Sequence, residues 1–223
     1  MSFLSIASLT RKELGLAAAL LLIAALAVGY FLIKPKNDLH GRGGAPLPMK
    51  SLGTAPILQL ELVRNEQDIS EILTKGEVAT NIADARAGNR YDTWLFIPLY
   101  AGSLLLMGIS LSRGDTRWPK ALLWFSILAV STIAICDWTE NAGIERTLNH
   151  IEATSAPQPG DAGAISLPGR TKWILIAVVL LVYAISALPQ PGLGVKLFGL
   201  ALLATAGYVI WTLVAYFQEV PHG

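Results

Sequence analysis

Five stretches of the 223-residue chain are so apolar over such length that each is expected to leave water altogether: residues 14–33, 93–112, 120–137, 172–188 and 196–217. The first, "LGLAAALLLIAALAVGYFLI", carries no charge in its interior. Bilayer hydrocarbon about 30 Å thick is crossed by roughly 20 helical residues. Within lipid only a helix satisfies its own backbone without a closed barrel, so these runs predict helices. The composition agrees, since 53% of residues are hydrophobic and only 15% charged, against about 25% charged in an ordinary soluble domain. The fold class predicted is all-α: a polytopic membrane helix bundle with about five transmembrane helices and a small amphipathic extramembrane subdomain.

The connections are unequal. Residues 1–13 form a short tail whose Arg11 and Lys12, with Lys34 and Lys36, bracket the first run. No Ala-x-Ala site follows that run, so it reads as a retained anchor. Residues 34–56 form a Pro/Gly linker, "GRGGAPLPMKSLGTAP" at its centre. Residues 57–92 form an amphipathic extramembrane segment. There "ILQLELV" alternates weakly and suggests a short extended piece, Asn65 is placed as a helix N-cap with Glu66 and Asp68 in the first turn, and Gly76 as a stop. From Glu77 the apolar spacing predicts a helix running directly into the second span. Residues 138–170 are expected to continue the third span as an acidic helix and then, from Thr154, to become a flexible loop rich in Pro and Gly. The turn "LPQPGLG" is too short for anything but an antiparallel pairing of spans four and five.

Several function classes fall away. Seventeen basic against sixteen acidic residues leave little net charge, and the basic side chains are scattered, which argues against a nucleic-acid partner. A single cysteine, Cys136, allows neither an internal disulfide nor a thiolate cluster and reads as an apolar filler. His40, His150 and His222 lie in three separate polar segments, without zinc or haem spacing. Ser103, Ser110, Ser126 and Ser131 lack a nucleophile motif and suit close helix packing. Tyr91, Trp94, Trp118, Trp124, Trp138, Trp173 and Trp211 mostly sit near span ends, as interfacial belts do. Pro98 predicts a kink in the second span, near Asp92.

One polar group stands out. "CDWTENAGIE" places Asp137, Glu140 and Asn141 on overlapping faces of one helix at the end of the third span, with Glu145 a further turn along. A tight hairpin of spans two and three brings Asp92 to the same level. These five residues are the candidate ligand or cation site. Clustered carboxylates with an amide suit a hard cation such as Ca²⁺ or Mg²⁺, to be held by Asp92, Asp137 and Glu140. Paired carboxyls at a low-dielectric edge also suit acid/base work. Arg86 and Arg90, one turn apart, are the candidate ion-pair partners. The structural alternative is that Asp137 merely ends the apolar span, Glu140 pairs with Arg90, and Asn141 bonds Asp137.

The combination of "LQLELVRNEQDISEIL", "YDTWLFIPLY" and the D-x-x-E-N pattern of "CDWTEN" resembles a loose group of uncharacterised small bacterial multi-pass membrane proteins. The likeness covers roughly residues 57–148 and implies a bacterial cytoplasmic membrane but no activity; Asp92, Asp137, Glu140 and Asn141 are the positions that match.

The sequence thus points first to a non-catalytic accessory or structural subunit, in contact with membrane lipid and with other membrane proteins or copies of itself. The second reading is a ligand-handling protein, binding a cation or a lipid head group, or an enzyme, through the carboxylates. The compact basic loop with Arg113, Arg117 and Lys120 argues for an amino terminus inside and both long loops outside.

Overall fold

The computed structural model of the protein describes residues 9–33, 60–61, 63–74 and 76–218. The linker 34–56, His40, His222 and most of the "ILQLELV" stretch lie outside these. Every element among the described residues is helical: α1 (Arg11–Ile33), α2 (Glu66–Leu73), α3 (Val78–Tyr91), a π-helical turn (Asp92–Phe96), α4 (Ile97–Ser112), α5 (Pro119–Thr154), α6 (Asp161–Ala187) and α7 (Leu193–Gln218). Five helical rods are long and apolar enough to cross a membrane; α3, the π turn and α4 form one of them, continuous from Val78 to Ser112. The chain is an integral membrane protein by that measure.

The rods are longer than a bilayer needs. The 36 residues of α5 extend about 54 Å at 1.5 Å per residue, against about 30 Å of hydrocarbon. Its surplus emerges at one end together with α3 and the start of α6, and two separate cores result. The bundle core joins Leu104 and Met107 of α4, Ile133 of α5, Tyr183 of α6 and Ala206 of α7. The second core, a headpiece, gathers Leu60 and Val63, Ile69 and Leu73 of α2, Ile82 and Ala85 of α3, Ile144, Leu148 and Ile151 of α5, and Ala162 and Ile165 of α6.

Small residues set the bundle's spacing. A side chain at Gly108 of α4 would run into Ser126 and Tyr183. A Cβ at Gly143 would lie 2.7 Å from the Ala164 carbonyl oxygen, so α5 and α6 approach backbone to backbone. Ser103 donates to the Ala18 carbonyl at 2.8 Å and Ser110 to the Arg11 carbonyl at 3.1 Å, tying α4 to α1. Ser126 bonds Leu122 of its own helix and packs against Gly108 of α4, in keeping with close helix packing, whereas Ser131 is exposed.

Two local readings need correction. The Thr154–Arg170 stretch is not a long flexible loop: only residues 155–160 are outside helix, and α6 begins at Asp161 with Pro168 in its interior. Its small residues serve close approach to α5 instead of flexibility, and burial of Ala162 and Ile165 in the headpiece outweighs poor local propensity. Leu60 and Glu61 are helical, not extended, and Leu60 is fully buried. By contrast Asn65 has extended backbone and its Oδ1 accepts from the Asp68 N–H at 2.9 Å, an N-cap as read from sequence.

Candidate functional site

The site lies between the two cores and is assembled from α3, the π turn, α4, α5, α6 and the Leu60–Glu61 step. Pro98 has no N–H to return to Trp94. The helix widens just ahead of it, where the Ile97 N–H bonds the Asp92 carbonyl five residues back. Such π turns recur at functional positions. Here the wider turn leaves Asp92 buried while its neighbours Tyr91 and Trp94 stay exposed.

Asp92 is then bound from α5. The Asn141 amide donates to Asp92 Oδ2 at 2.6 Å and to Thr93 Oγ1 at 2.9 Å. Asn89, one turn before Asp92, donates to the Asn141 carbonyl at 3.0 Å. Asn141 therefore bonds Asp92 across the helices, and not Asp137 on its own.

The other half of the site centres on Lys172 of α6. Its ammonium lies 2.6 Å from Asp137 Oδ1, 2.7 Å from Glu140 Oε2 and 3.3 Å from Glu61 Oε2. The Tyr100 hydroxyl of α4 donates to Asp137 Oδ2 at 2.5 Å. Asp137 is 2% exposed, Glu140 0% and Lys172 4%. Glu140 Oε1 rests against Gly169, where a Cβ would come within 2.8 Å. Glycine at 169 is what lets the carboxyl lie flat on α6. Burial holds the Glu61 carboxyl above its ordinary value, with the Lys172 charge opposing the rise.

Four of the five candidate site residues are thus brought together: Asp92, Asp137, Glu140 and Asn141. Glu145 is not among them. It pairs with Arg86 at 2.7 Å on the flank of the headpiece, where Arg86 also reaches Glu152 at 2.8 Å and Asn149 at 2.9 Å. Arg86 is an ion-pair residue as expected, but Arg90 is exposed and takes no part in the ion pairs among the described residues; Glu140 pairs with Lys172 in its place. The reason is register, because the π turn and the α5–α6 approach turn Glu140 toward α6 and away from α3.

Three participants were not singled out from sequence. Lys172 stands at the edge of the fourth apolar run, Tyr100 lies within the second, and Glu61 belongs to the weakly alternating "ILQLELV" stretch. Lys172 and Asp137 both border apolar runs on the same side of the bundle, which is the one signal that could have joined them. His150, which has no metal-site spacing in the sequence, meets Asp161 at 2.9 Å, and Asp161 also accepts the Gln158 N–H at 2.8 Å, so the pair closes the α5–α6 turn.

Chemically, the site holds four buried carboxyl groups against one buried ammonium. No group of three or more His, Cys, Asp or Glu among the described residues is arranged to hold a metal ion. No family model, curated protein or solved structure matches the chain.

Proposed function

We propose that this integral membrane protein is a non-catalytic accessory or structural subunit of a membrane complex, in which the buried cluster fixes a rigid headpiece on the bundle. The observation that carries this reading is where the charges point. Lys172 lies in ion-pair contact with Asp137 and Glu140, Asn141 bonds Asp92, and all five are buried to within a few per cent. Such a network specifies one arrangement of α3, α5 and α6 more than it adds stability. Partners consistent with it are membrane lipid and other membrane proteins or further copies of this chain, with no nucleic acid. We place it in a bacterial cytoplasmic membrane with the amino terminus inside, which a reporter fused to the carboxyl terminus tests by reading out on the far side.

Native mass spectrometry of the intact complex, released gently from its own membrane, tests the role. Other subunits in fixed stoichiometry support it, and a lone chain carrying a bound small molecule overturns it.

A second reading has its own observation, the excess of acid over base. In it Asp92, Asp137 and Glu140 serve a cation, Ca²⁺ or Mg²⁺, or a lipid head group, as ligands or acid/base groups. It expects Asp137→Asn and Glu140→Gln to abolish binding or activity while the fold persists; loss of assembly instead counts against it.

A further inference from the structure

We propose that the buried cluster is a proton-binding site, which takes up a proton from water and holds it at neutral pH on one of the carboxyls of Glu140 and Asp92.

Two independent observations lead there. The first is charge. Glu61, Asp92, Asp137 and Glu140 come from the Leu60–Glu61 step, the π turn and α5, and among the described residues the cation in ion-pair contact with three of them is Lys172 of α6, with Arg170 two residues before it on the same helix. Also beside them among the described residues are the Tyr100 hydroxyl of α4 and the partly buried Cys136 thiol, neither of which adds positive charge. Helix α1 carries no Asp, Glu, His, Lys or Arg from Leu14 to Ile33. Were all four carboxyls ionised, the site would hold three uncompensated negative charges away from water, an arrangement proteins relieve by neutralising a group.

The second observation is hydrogen bonding. Glu140 Oε1 and Asn89 Oδ1 are buried acceptors with no donor among the described residues. Buried acceptors are ordinarily satisfied, and each exception calls for a missing partner. Each gap lacks a donor, and at a carboxyl oxygen protonation removes that need by turning the acceptor into an O–H. The distribution of donors shows where the proton belongs. Asp137 already receives hydrogen bonds from Lys172 and Tyr100. Glu140 meets Lys172 at 2.7 Å without hydrogen-bond alignment, and Asp92 receives the Asn141 amide, so these two are the least compensated. On protonation the carboxylate gains an O–H bond and loses its charge, while the hydronium that delivers the proton loses one O–H bond and leaves as water.

Infrared spectroscopy of the purified full-length chain in lipid reads this directly, as the C=O stretch of a protonated carboxyl. The band is expected at neutral pH, with a shift in deuterated water, and is expected to vanish in Glu140→Gln or in Asp92→Asn with helix content unchanged. Absence of the band from the unmodified chain overturns the proposal without any variant. So does a band that survives in both variants. A band that appears only when sodium and potassium are replaced by an organic cation places a metal ion at the site and overturns it too.

Discussion

The Lys172 ammonium sits 2.6 Å from the Asp137 carboxylate, with 5% and 2% of the two side chains exposed, at the level where bundle and headpiece meet. One residue comes from α6 and the other from α5, so the contact fixes the rotation of both helices. Replacing Lys172 by Met leaves Asp137, Glu140 and Glu61 without their cation. Removing one partner of a buried pair costs about 3–5 kcal/mol, and thermal unfolding in detergent is expected to show a loss of that order. Unchanged stability would mean that the pair does not hold the helices.

Gly169→Ala tests the seat of Glu140. The added Cβ would come within 2.8 Å of Glu140 Oε1 and within 3.1 Å of its carboxyl carbon. Overpacking of this kind costs about 1–3 kcal/mol. Glu140→Gln in the same background does not relieve the clash, because the amide is the same size, whereas Glu140→Ala does. Unfolding midpoints of the single and double variants give the coupling.

Gly143→Ala probes a different contact, with the Ala164 backbone carbonyl 2.7 Å from the new Cβ. Backbone cannot swing aside as a side chain can, so the helices must separate. A loss of about 1–3 kcal/mol is expected, with headpiece amides of α6 exchanging faster in hydrogen-exchange mass spectrometry. Protection equal to the parent chain would contradict the close approach.

The Asn65 cap predicts a smaller, local effect. Asn65→Ala removes the acceptor of the Asp68 N–H and costs about 1 kcal/mol. Hydrogen exchange should rise in α2 and leave the bundle unaffected.

Glu61 gives a pH dependence with a definite sign. Burial holds its carboxyl above the ordinary 4.5, so the folded chain binds this proton more tightly than the unfolded chain. The associated stability is fully present below that ordinary value and is lost as pH rises through the folded one. Comparing unfolding midpoints of the parent and Glu61→Gln across that window, the parent is expected to lose more with rising pH. A difference of opposite sign would show that the Lys172 pair outweighs burial.

What could be read from residue order follows from local physics. Apolar length alone fixes five membrane-crossing helices, because an unsatisfied backbone in lipid is too costly for any other open form. Helical spacing alone puts Asp137, Glu140 and Asn141 on one side of α5, and Asn65 announces its cap by its own side chain. Tertiary structure decided the rest, for reasons with no local signature. The "APQPGDAGAISLPGR" stretch looks like loop by composition, yet its small residues exist for the close contacts of Gly143 with Ala164 and of Glu140 with Gly169. The choice of Lys172 over Arg90 as the partner of Glu140 depends on how α5 is rotated against α6 and on the π turn ahead of Pro98. Residue order lists the charges; which of them share a desolvated space is set by helix rotation, and that is a property of the packed bundle.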